Sequence, residues 1–262
     1  MQDHMTSPAA RATDATATGS SAPTVPAWAL DGLRAAFDHV RIWVFDLDNT
    51  LYPPAVRLFD QIEVKMTDWV MRSIGVDRAE ADRLRKLYWA EHGTTLAGLM
   101  QVHGIAPDGY LKEVHEIDLS ALPRDPALAA AIGALPGRRI VYTNGTKPYA
   151  ERVLAARGLT GIFDAVYGVE HAGYLPKPQR AAFEAVFATD GVDPARAAMF
   201  EDDPRNLSVP HDMGMRTVLV GPLAPPVEAE AAHIHYRTDS LTAFLRAIGP
   251  QGYPPRLPAP PR

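Results

Sequence analysis

The sequence has no cysteine among its 262 residues. This absence excludes disulfide bonds, thiol nucleophiles and thiolate metal sites. A chain without cysteine fits the reducing environment of the cytoplasm, and we expect that location.

The sequence also lacks an apolar run near the ~20 residues that a membrane-spanning helix needs. It lacks a basic stretch of the kind that binds nucleic acid, and its net charge is −5 with a pI near 6.0. We therefore expect neither a membrane nor a nucleic acid as a partner. No internal repeat is found.

The composition changes at both ends of the chain. Residues 1–26 are rich in Ala, Thr, Ser and Pro, without the apolar segment of a secretory signal, and we expect a disordered tail. Residues 250–262 are rich in proline, which favours a solvated tail of polyproline character, with a partner-binding segment as the alternative.

Between these ends the hydrophobic pattern predicts an α/β fold. Residues 42–45 are an apolar run typical of a buried strand, whereas residues 55–122 show only helical spacing. Residues 123–249 alternate between predicted helices and strands, which favours a parallel sheet with right-handed crossovers and helices on both faces. We therefore predict a Rossmann-like core formed by residues 27–54 and 123–249. The all-helical insert 55–122 would lie over the carboxyl end of the sheet. The later strands are predicted at 139–143, 165–168, 197–200, 217–220 and 234–236.

Two carboxylates follow the first predicted strand directly. Asp46 and Asp48 lie at its carboxyl end, where open α/β sheets bind ligands. Two negative charges at this place are unfavourable unless a cation or a shared proton relieves their repulsion. The pair is therefore a candidate catalytic or metal site.

Polar residues also follow the next two strands. Thr143-Asn144-Gly145 could bind a phosphate at a helix N-terminus, or could form an ordinary Asn-Gly turn. Lys177 lies between two prolines that restrict the backbone, so its charge could balance a phosphate or a carboxylate. The alternative for Lys177 is a solvated lysine in a surface turn.

Three consecutive acidic residues follow the strand predicted at 197–200. Capping of the helix that begins at Pro204 explains at least one of Glu201, Asp202 and Asp203. The acidic residues that capping does not explain indicate a hard cation with oxygen ligands, and Mg²⁺ is the expected ion.

Together these residues resemble the motifs of the haloacid dehalogenase (HAD) superfamily of phosphohydrolases. The matches are Asp46-x-Asp48-x-Thr50, Thr143, Lys177 and Glu201-Asp202, in the order of that family. The helical insert resembles its C1-type cap. Four segments are also similar to the pyrimidine 5′-nucleotidase subgroup: residues 45–53, 91–99, 142–145 and 200–207. Members of that subgroup more often have Ser at the position of Asp203, and the spacing to Asn206 favours Glu201-Asp202 as the family's acidic pair.

The resemblance implies a role for each matched residue. Asp46 would be the nucleophile that forms an aspartyl-phosphate, Asp48 the general acid and base, and Lys177 the catalytic cation. The phosphate would be bound by Thr50, Thr143, Asn144, Gly145 and Lys177. Mg²⁺ would be bound by Asp46, the Asp48 backbone carbonyl, Asp202 and Glu201.

Asp48 also distinguishes two activities within the superfamily. Dehalogenases of this fold do not carry an acid at that position, so Asp48 favours phosphoryl transfer. We expect an Mg²⁺-dependent phosphomonoester hydrolase, monomeric or dimeric, that acts on a pyrimidine nucleoside 5′-monophosphate such as UMP or CMP. The alternatives are phosphoglycolate or a sugar phosphate as substrate, a phosphomutase, and a binding protein without turnover.

The inner face of the cap would select the leaving group. Five cap residues could contact a base, although the favoured interpretation of the first two is that they fill the core of the cap: Tyr88, Trp89, His92, Thr94 and Thr95. Six histidines show no ligand spacing and are interpreted as structural or surface residues: His103, His115, His171, His211, His233 and His235.

Overall fold

Six parallel strands form one sheet in the order β3-β2-β1-β4-β5-β6. The structure is a computed structural model that describes residues 27–222 and 232–249. The expected tails, 1–26 and 250–262, lie outside these residues. The strands are β1 Ile42–Phe45, β2 Arg138–Tyr142, β3 Ala165–Tyr167, β4 Ala197–Glu201, β5 Arg216–Val220 and β6 Tyr236–Thr238.

Ten α-helices are found in the described part of the chain. They are α1 Ala27–Ala35, α2 Leu58–Val70, α3 Arg78–His92, α4 Thr95–His103, α5 Pro107–Val114, α6 Pro126–Gly133, α7 Lys147–Arg157, α8 Arg180–Asp190, α9 Ser208–Asp212 and α10 Leu241–Ile248. The parallel sheet with flanking helices confirms the predicted fold class.

The register of the sheet brings the strand ends together. Phe45, the last residue of β1, lies beside Val141 of β2 and Phe200 of β4. The residue that follows, Asp46, donates its backbone N–H to the Phe200 carbonyl at 2.9 Å. The end of β1 therefore lies between the ends of β2 and β4 at one edge of the sheet.

Helices α2 to α5 all lie between β1 and β2 in the sequence, within the segment 55–122. Asp77 accepts a hydrogen bond from the Glu80 N–H and caps α3. Gly98 of α4 permits close packing on α3, because a Cβ atom there would lie 2.3 Å from the Tyr88 ring. The division of the chain into core and cap domains at 55 and 122 stays a prediction.

Three local features differ from the sequence-based expectation. Helix α1 was not predicted. The helix expected to begin at Pro204 is split into a 3-10 turn, Pro204–Leu207, and α9. The edge strand begins at Tyr236 instead of 234. Before Tyr236, the Thr217 side chain makes the hydrogen bonds that backbone pairing between strands would otherwise make. Its hydroxyl bonds the His233 carbonyl at 2.7 Å and the His235 N–H at 3.1 Å.

None of the helices in residues 27–222 and 232–249 combines the length and the hydrophobicity needed to cross a bilayer.

Candidate active site

A buried lysine connects two carboxylates at the carboxyl edge of the sheet. The Lys177 Nζ atom donates hydrogen bonds to Asp46 Oδ1 at 2.7 Å, to Glu201 Oε2 at 2.6 Å and to the Tyr142 carbonyl at 3.1 Å. Only 1% of the Lys177 side chain is exposed. Lys177 is thus fully enclosed, and the alternative of a solvated surface lysine is wrong.

Burial and neighbouring charges shift the pKa values of Lys177, Asp46 and Asp202. Burial alone would lower the pKa of Lys177, but Asp46 and Glu201 raise it far above its ordinary value, so the ammonium stays charged. Burial and the Glu201 charge raise the pKa of Asp46 to about 8, with Lys177 opposing them. Burial, Glu201 and Asp46 raise the pKa of Asp202 to about 9. The raised pKa values show that full ionisation of the cluster would place more negative charge there than Lys177 can balance.

The same cluster is suited to a divalent cation. Asp46, Glu201 and Asp202 each offer a carboxylate oxygen, and these oxygens lie within 4.8 Å of one another. When all three are ionised, Lys177 leaves two negative charges without a partner. Carboxylate oxygens are the ligands that hard divalent cations prefer, so the residues fit such an ion. Glu201 already uses both oxygens, Oε2 for Lys177 and Oε1 for the Asp203 N–H at 3.3 Å.

Asp203 is absent from this cluster. Its side chain accepts the Arg205 N–H at 3.0 Å and pairs with the Arg205 guanidinium at 2.7 Å. Asp203 therefore caps the 3-10 turn, which agrees with the alternative of capping for one of the three acidic residues.

The residues after β2 form a loop beside Lys177. The Thr143 Oγ1 atom accepts the Gly145 N–H at 2.9 Å, which leaves its own proton free to be donated. The Asn144 side chain binds the Lys177 backbone twice, at 2.8 Å to the N–H and at 3.2 Å to the carbonyl. The first N–H of α7, on Lys147, is already bonded to Glu170 at 2.8 Å. An anion would therefore meet the loop 143–145 before the helix end.

Asp48 is held by two tyrosines that the sequence did not single out. Tyr52 and Tyr149 both donate their hydroxyls to Asp48 Oδ1, at 2.6 and 2.7 Å. Among the described residues no hydrogen bond to Oδ2 is found, so Oδ2 is the atom free for proton transfer. Burial raises the pKa of Asp48, while the two hydroxyls act in the opposite direction.

A family model of haloacid dehalogenase-like hydrolases matches residues 40–214. The chain belongs to this family. The match confirms the superfamily inferred from the motifs, whereas the C1 cap type and the pyrimidine nucleotidase subgroup stay predictions.

Two relatives of this hydrolase are similar at low identity. Phosphate metabolism protein 8 of Saccharomyces cerevisiae is 25% identical over 197 residues, which cover 68% of this chain and 61% of the yeast protein. Validoxylamine A 7′-phosphate phosphatase of Streptomyces hygroscopicus subsp. limoneus is 28% identical over 183 residues, which cover 64% and 79% of the two chains. The match thus spans about three fifths of the yeast relative's length.

Solved structures share the fold. A HAD phosphatase from Thermococcus onnurineus superposes with a TM-score of 0.54 at 17% identity, over 83% of this chain and 100% of that one. The L-2-haloacid dehalogenase from Xanthobacter autotrophicus gives a TM-score of 0.50 at 18% identity, over 80% and 98% of the two chains. At these identities the likeness shows the fold alone.

A cavity of about 970 Å³ extends from these residues into the helical insert. It is lined by nearly all the predicted site residues: Asp46, Asp48, Thr143, Asn144, Gly145, Lys177, Glu201 and Asp202. Thr50 does not line this cavity. Its hydroxyl is buried and has no hydrogen-bond partner within the described ranges. Its assignment to the phosphate stays a prediction.

The cap residues divide between the cavity and the interior of the cap. Trp89, Thr94 and Thr95 line the cavity, whereas Tyr88 is buried and its hydroxyl pairs with His103 at 2.6 Å. Trp89 is 51% exposed, and the centroid of its ring lies 3.5 Å from the Arg205 guanidinium carbon, so it does not fill the cap core. The interpretation of Trp89 as a core residue is therefore wrong.

His115 also lines the cavity of the hydrolase. Its ring stacks on Tyr149 with 4.5 Å between the centroids, and burial followed by the Arg152 charge lowers its pKa to about 4. His115 is therefore neutral at pH 7 and supports the tyrosine that binds Asp48. Its position one residue after α5 gave no sign of this contact.

Proposed function

We propose that this hydrolase cleaves small phosphomonoesters through an aspartyl-phosphate on Asp46. The observation that carries the proposal is the pairing of Asp46, bound by Lys177, with a second carboxyl, Asp48, on the same cavity wall. A nucleophile and a separate proton donor are what hydrolysis of an ester through a covalent intermediate requires.

The first step transfers the phosphoryl group to the enzyme. A carboxylate oxygen of Asp46 attacks phosphorus, the bond from phosphorus to the ester oxygen breaks, and Asp48 gives its proton to the departing alkoxide. The raised pKa of Asp48 favours the protonated form that this step needs. The free Thr143 hydroxyl and the Lys177 ammonium are placed to stabilise the charge on the phosphoryl oxygens.

The second step regenerates the enzyme. Asp48, now ionised, takes a proton from a water molecule as the water attacks phosphorus. The bond between phosphorus and Asp46 breaks, and inorganic phosphate leaves. The two tyrosine hydroxyls on Asp48 Oδ1 stabilise the ionised form between the steps.

Mg²⁺ is the cofactor that we propose for this site. Asp46 and Asp202 would hold it, with the Asp48 carbonyl and with Glu201 close by. Bound there, the ion supplies positive charge that offsets the repulsion between the Asp46 carboxylate and an anionic substrate.

The proposed substrate is a pyrimidine nucleoside 5′-monophosphate. Three features support this choice: the similarity of four segments to the pyrimidine 5′-nucleotidase subgroup, a cavity of about 970 Å³ that extends from the catalytic residues into the helical insert, and the aromatic side chain of Trp89 on its wall. The Streptomyces relative is named as a phosphatase, which supports a phosphate ester as the substrate class.

The test is phosphate release from a panel of esters, with Mg²⁺ and with EDTA. The panel contains UMP, CMP, TMP, AMP, GMP, phosphoglycolate and glucose phosphates. Mg²⁺-dependent release that is strongest with UMP and CMP would support the whole proposal, and Asp46→Asn should abolish it while thermal unfolding stays cooperative.

Three other results would change the proposal. Release from a non-nucleotide alone would keep the chemistry and discard the substrate. Activity in Asp46→Asn would remove Asp46 as the nucleophile. No release from any ester under either condition would favour a binding protein.

A further inference from the structure

The cavity continues beyond the catalytic residues into the space between α2, α3 and α5. Its walls there are largely apolar: Phe59, Ile62, Met66, Leu96, Leu111 and Val114. Two residues that line this end of the cavity each carry a buried polar atom without a hydrogen-bond partner among the described residues, Tyr110 OH and Arg85 Nε. Because unpaired buried polar atoms are costly, the pair indicates a ligand that satisfies them.

Tyr110 is fixed in place by its neighbours. Only 2% of the residue is exposed, and its ring packs edge-on against Trp69 with 5.1 Å between the centroids. Burial raises the pKa of Tyr110, while the Arg85 charge and the Thr95 hydroxyl act against this shift, which places the three groups at the same end of the cavity. The Tyr110 hydroxyl is therefore a neutral, oriented donor.

Arg85 is held by acidic and hydroxyl groups on its other side. Its Nη1 atom donates to Thr67 Oγ1 at 2.7 Å and to Asp82 Oδ1 at 3.2 Å, and its Nη2 atom lies 3.2 Å from Glu63. The Arg85 side chain is 13% exposed. These contacts fix the guanidinium and leave the buried Nε–H without an acceptor among the described residues.

The charge at this end is already balanced. Asp82 and Glu63 together offset Arg85 and Lys86, all four of which line the cavity, and hydrogen bonding from Thr67 leads the effects that lower the pKa of Asp82, so Asp82 stays ionised. A second phosphate or a carboxylate would therefore meet no cation in excess here. Two donors between apolar walls instead suit a neutral oxygen acceptor on a flat, weakly polar group.

We propose that Arg85 and Tyr110 form a subsite that binds a neutral carbonyl oxygen of the leaving group, such as the O2 atom shared by uracil and cytosine. The inference rests on the proposed function, because it assumes that the leaving group of the ester fills the cavity above Asp46. It adds to that function the residues that select the base.

The experiment measures binding and turnover in the full chain. Uridine and adenosine are titrated by calorimetry, since adenine has no carbonyl oxygen and neither nucleoside needs catalysis to bind. Steady-state kinetics use UMP and acetyl phosphate, which is too small to reach the subsite. The variants are Tyr110→Phe, which removes only the hydroxyl, and Arg85→Lys, which keeps the charge and removes the Nε–H. Tyr236→Phe on β6, at the far edge of the sheet, is the matched control.

We expect Tyr110→Phe and Arg85→Lys each to weaken uridine binding about 3- to 10-fold, the range for one neutral hydrogen bond. The KM for UMP should rise by a similar factor with kcat little changed, because the contact is made equally in ground and transition states. Acetyl phosphate hydrolysis and adenosine binding should stay at the wild-type level in both variants. The Tyr236→Phe protein should match the wild type in every one of these measurements.

The results separate this inference from the function on which it rests. Uridine binding that is absent in the wild type, or unchanged in both variants, would overturn the subsite even if acetyl phosphate is hydrolysed. An equal loss with UMP and acetyl phosphate would also overturn it, because it would indicate a structural role. Uridine binding that weakens in both variants, in a chain that hydrolyses no ester, would keep the subsite and refute the proposed chemistry.

Discussion

The substitution Lys177→Met tests the charge balance of the site most directly. It removes the ammonium group bonded to Asp46 and Glu201 and leaves two buried carboxylates facing each other. Removing one partner from a buried ion pair typically costs about 3–5 kcal/mol. For a chain of this size each kcal/mol lowers Tm by about 2–4 °C, so we expect a decrease of about 6–20 °C in EDTA.

The stability lost in Lys177→Met should increase as the pH rises. Lys177 opposes the effects that raise the pKa of Asp46, so its loss raises the folded-state pKa further above the unfolded value of about 3.9. A group with a raised folded-state pKa contributes stability at low pH and loses it as the pH rises toward that pKa. The deficit of Lys177→Met should therefore grow between pH 6 and pH 9, by about 1.4 kcal/mol per pH unit for each extra proton that the folded variant binds.

The assay is thermal unfolding in EDTA at pH 6 and pH 9, followed by circular dichroism. Lys112→Met is the matched control, because Lys112 carries the same charge on the exposed face of α5. A Lys177→Met protein as stable as the control at pH 9, or a deficit that is larger at pH 6 than at pH 9, would refute the argument.

Three further predictions concern the same residues. Asp48→Asn should slow the release of phosphate from the aspartyl-phosphate by about 10²–10⁴-fold; acid-quenched protein should then carry phosphate after mixing with acetyl phosphate, and its absence would contradict the role of Asp48. Tyr149→Phe removes a hydrogen bond to ionised Asp48 and should move the alkaline limb of the kcat/KM profile to higher pH, whereas an unmoved limb would argue against tuning by this hydroxyl. The raised pKa values of Asp46 and Asp202, about 8 and 9, predict that the wild-type protein in EDTA loses stability as the pH rises from 6 to 9 and that Mg²⁺ restores it; calorimetric scans showing no effect of Mg²⁺ at pH 9 would contradict this.

The position of the charged residues could be predicted because parallel strands end at one edge of a sheet. Asp46, Thr143 and Glu201 each come at or just after the end of a predicted strand, so the fold alone brings them together. Lys177 is different, since it lies in a loop ten residues after the end of β3 and twenty residues before β4, where the strand register places no side chain. Its assignment came from the resemblance to the family, and its burial is a fact of tertiary packing.

The partners of Asp48 could not be predicted from the sequence. Tyr149 lies in the first turn of α7 and looks like any aromatic residue on the buried side of a helix. Only the docking of α7 against the end of β1 directs its hydroxyl to Asp48. Arg85 escaped notice for the opposite reason, because an arginine in the strongly charged sequence of α3 indicates a solvated face, yet Thr67 and Asp82 bind it inside the cap.

Chemistry and selection have separate physical origins in this molecule. The reacting groups are fixed by strand ends and by the charge of Lys177, and changing any of them alters the balance of charge on which the reaction depends. In the proposed subsite Asp82 and Glu63 offset Arg85 and Lys86, so changing its donors should alter the fit of the leaving group and leave the charge at Asp46 unaffected. Substitutions at Arg85 or Tyr110 should therefore change which esters are cleaved while the pH and Mg²⁺ dependence of acetyl phosphate hydrolysis stay the same.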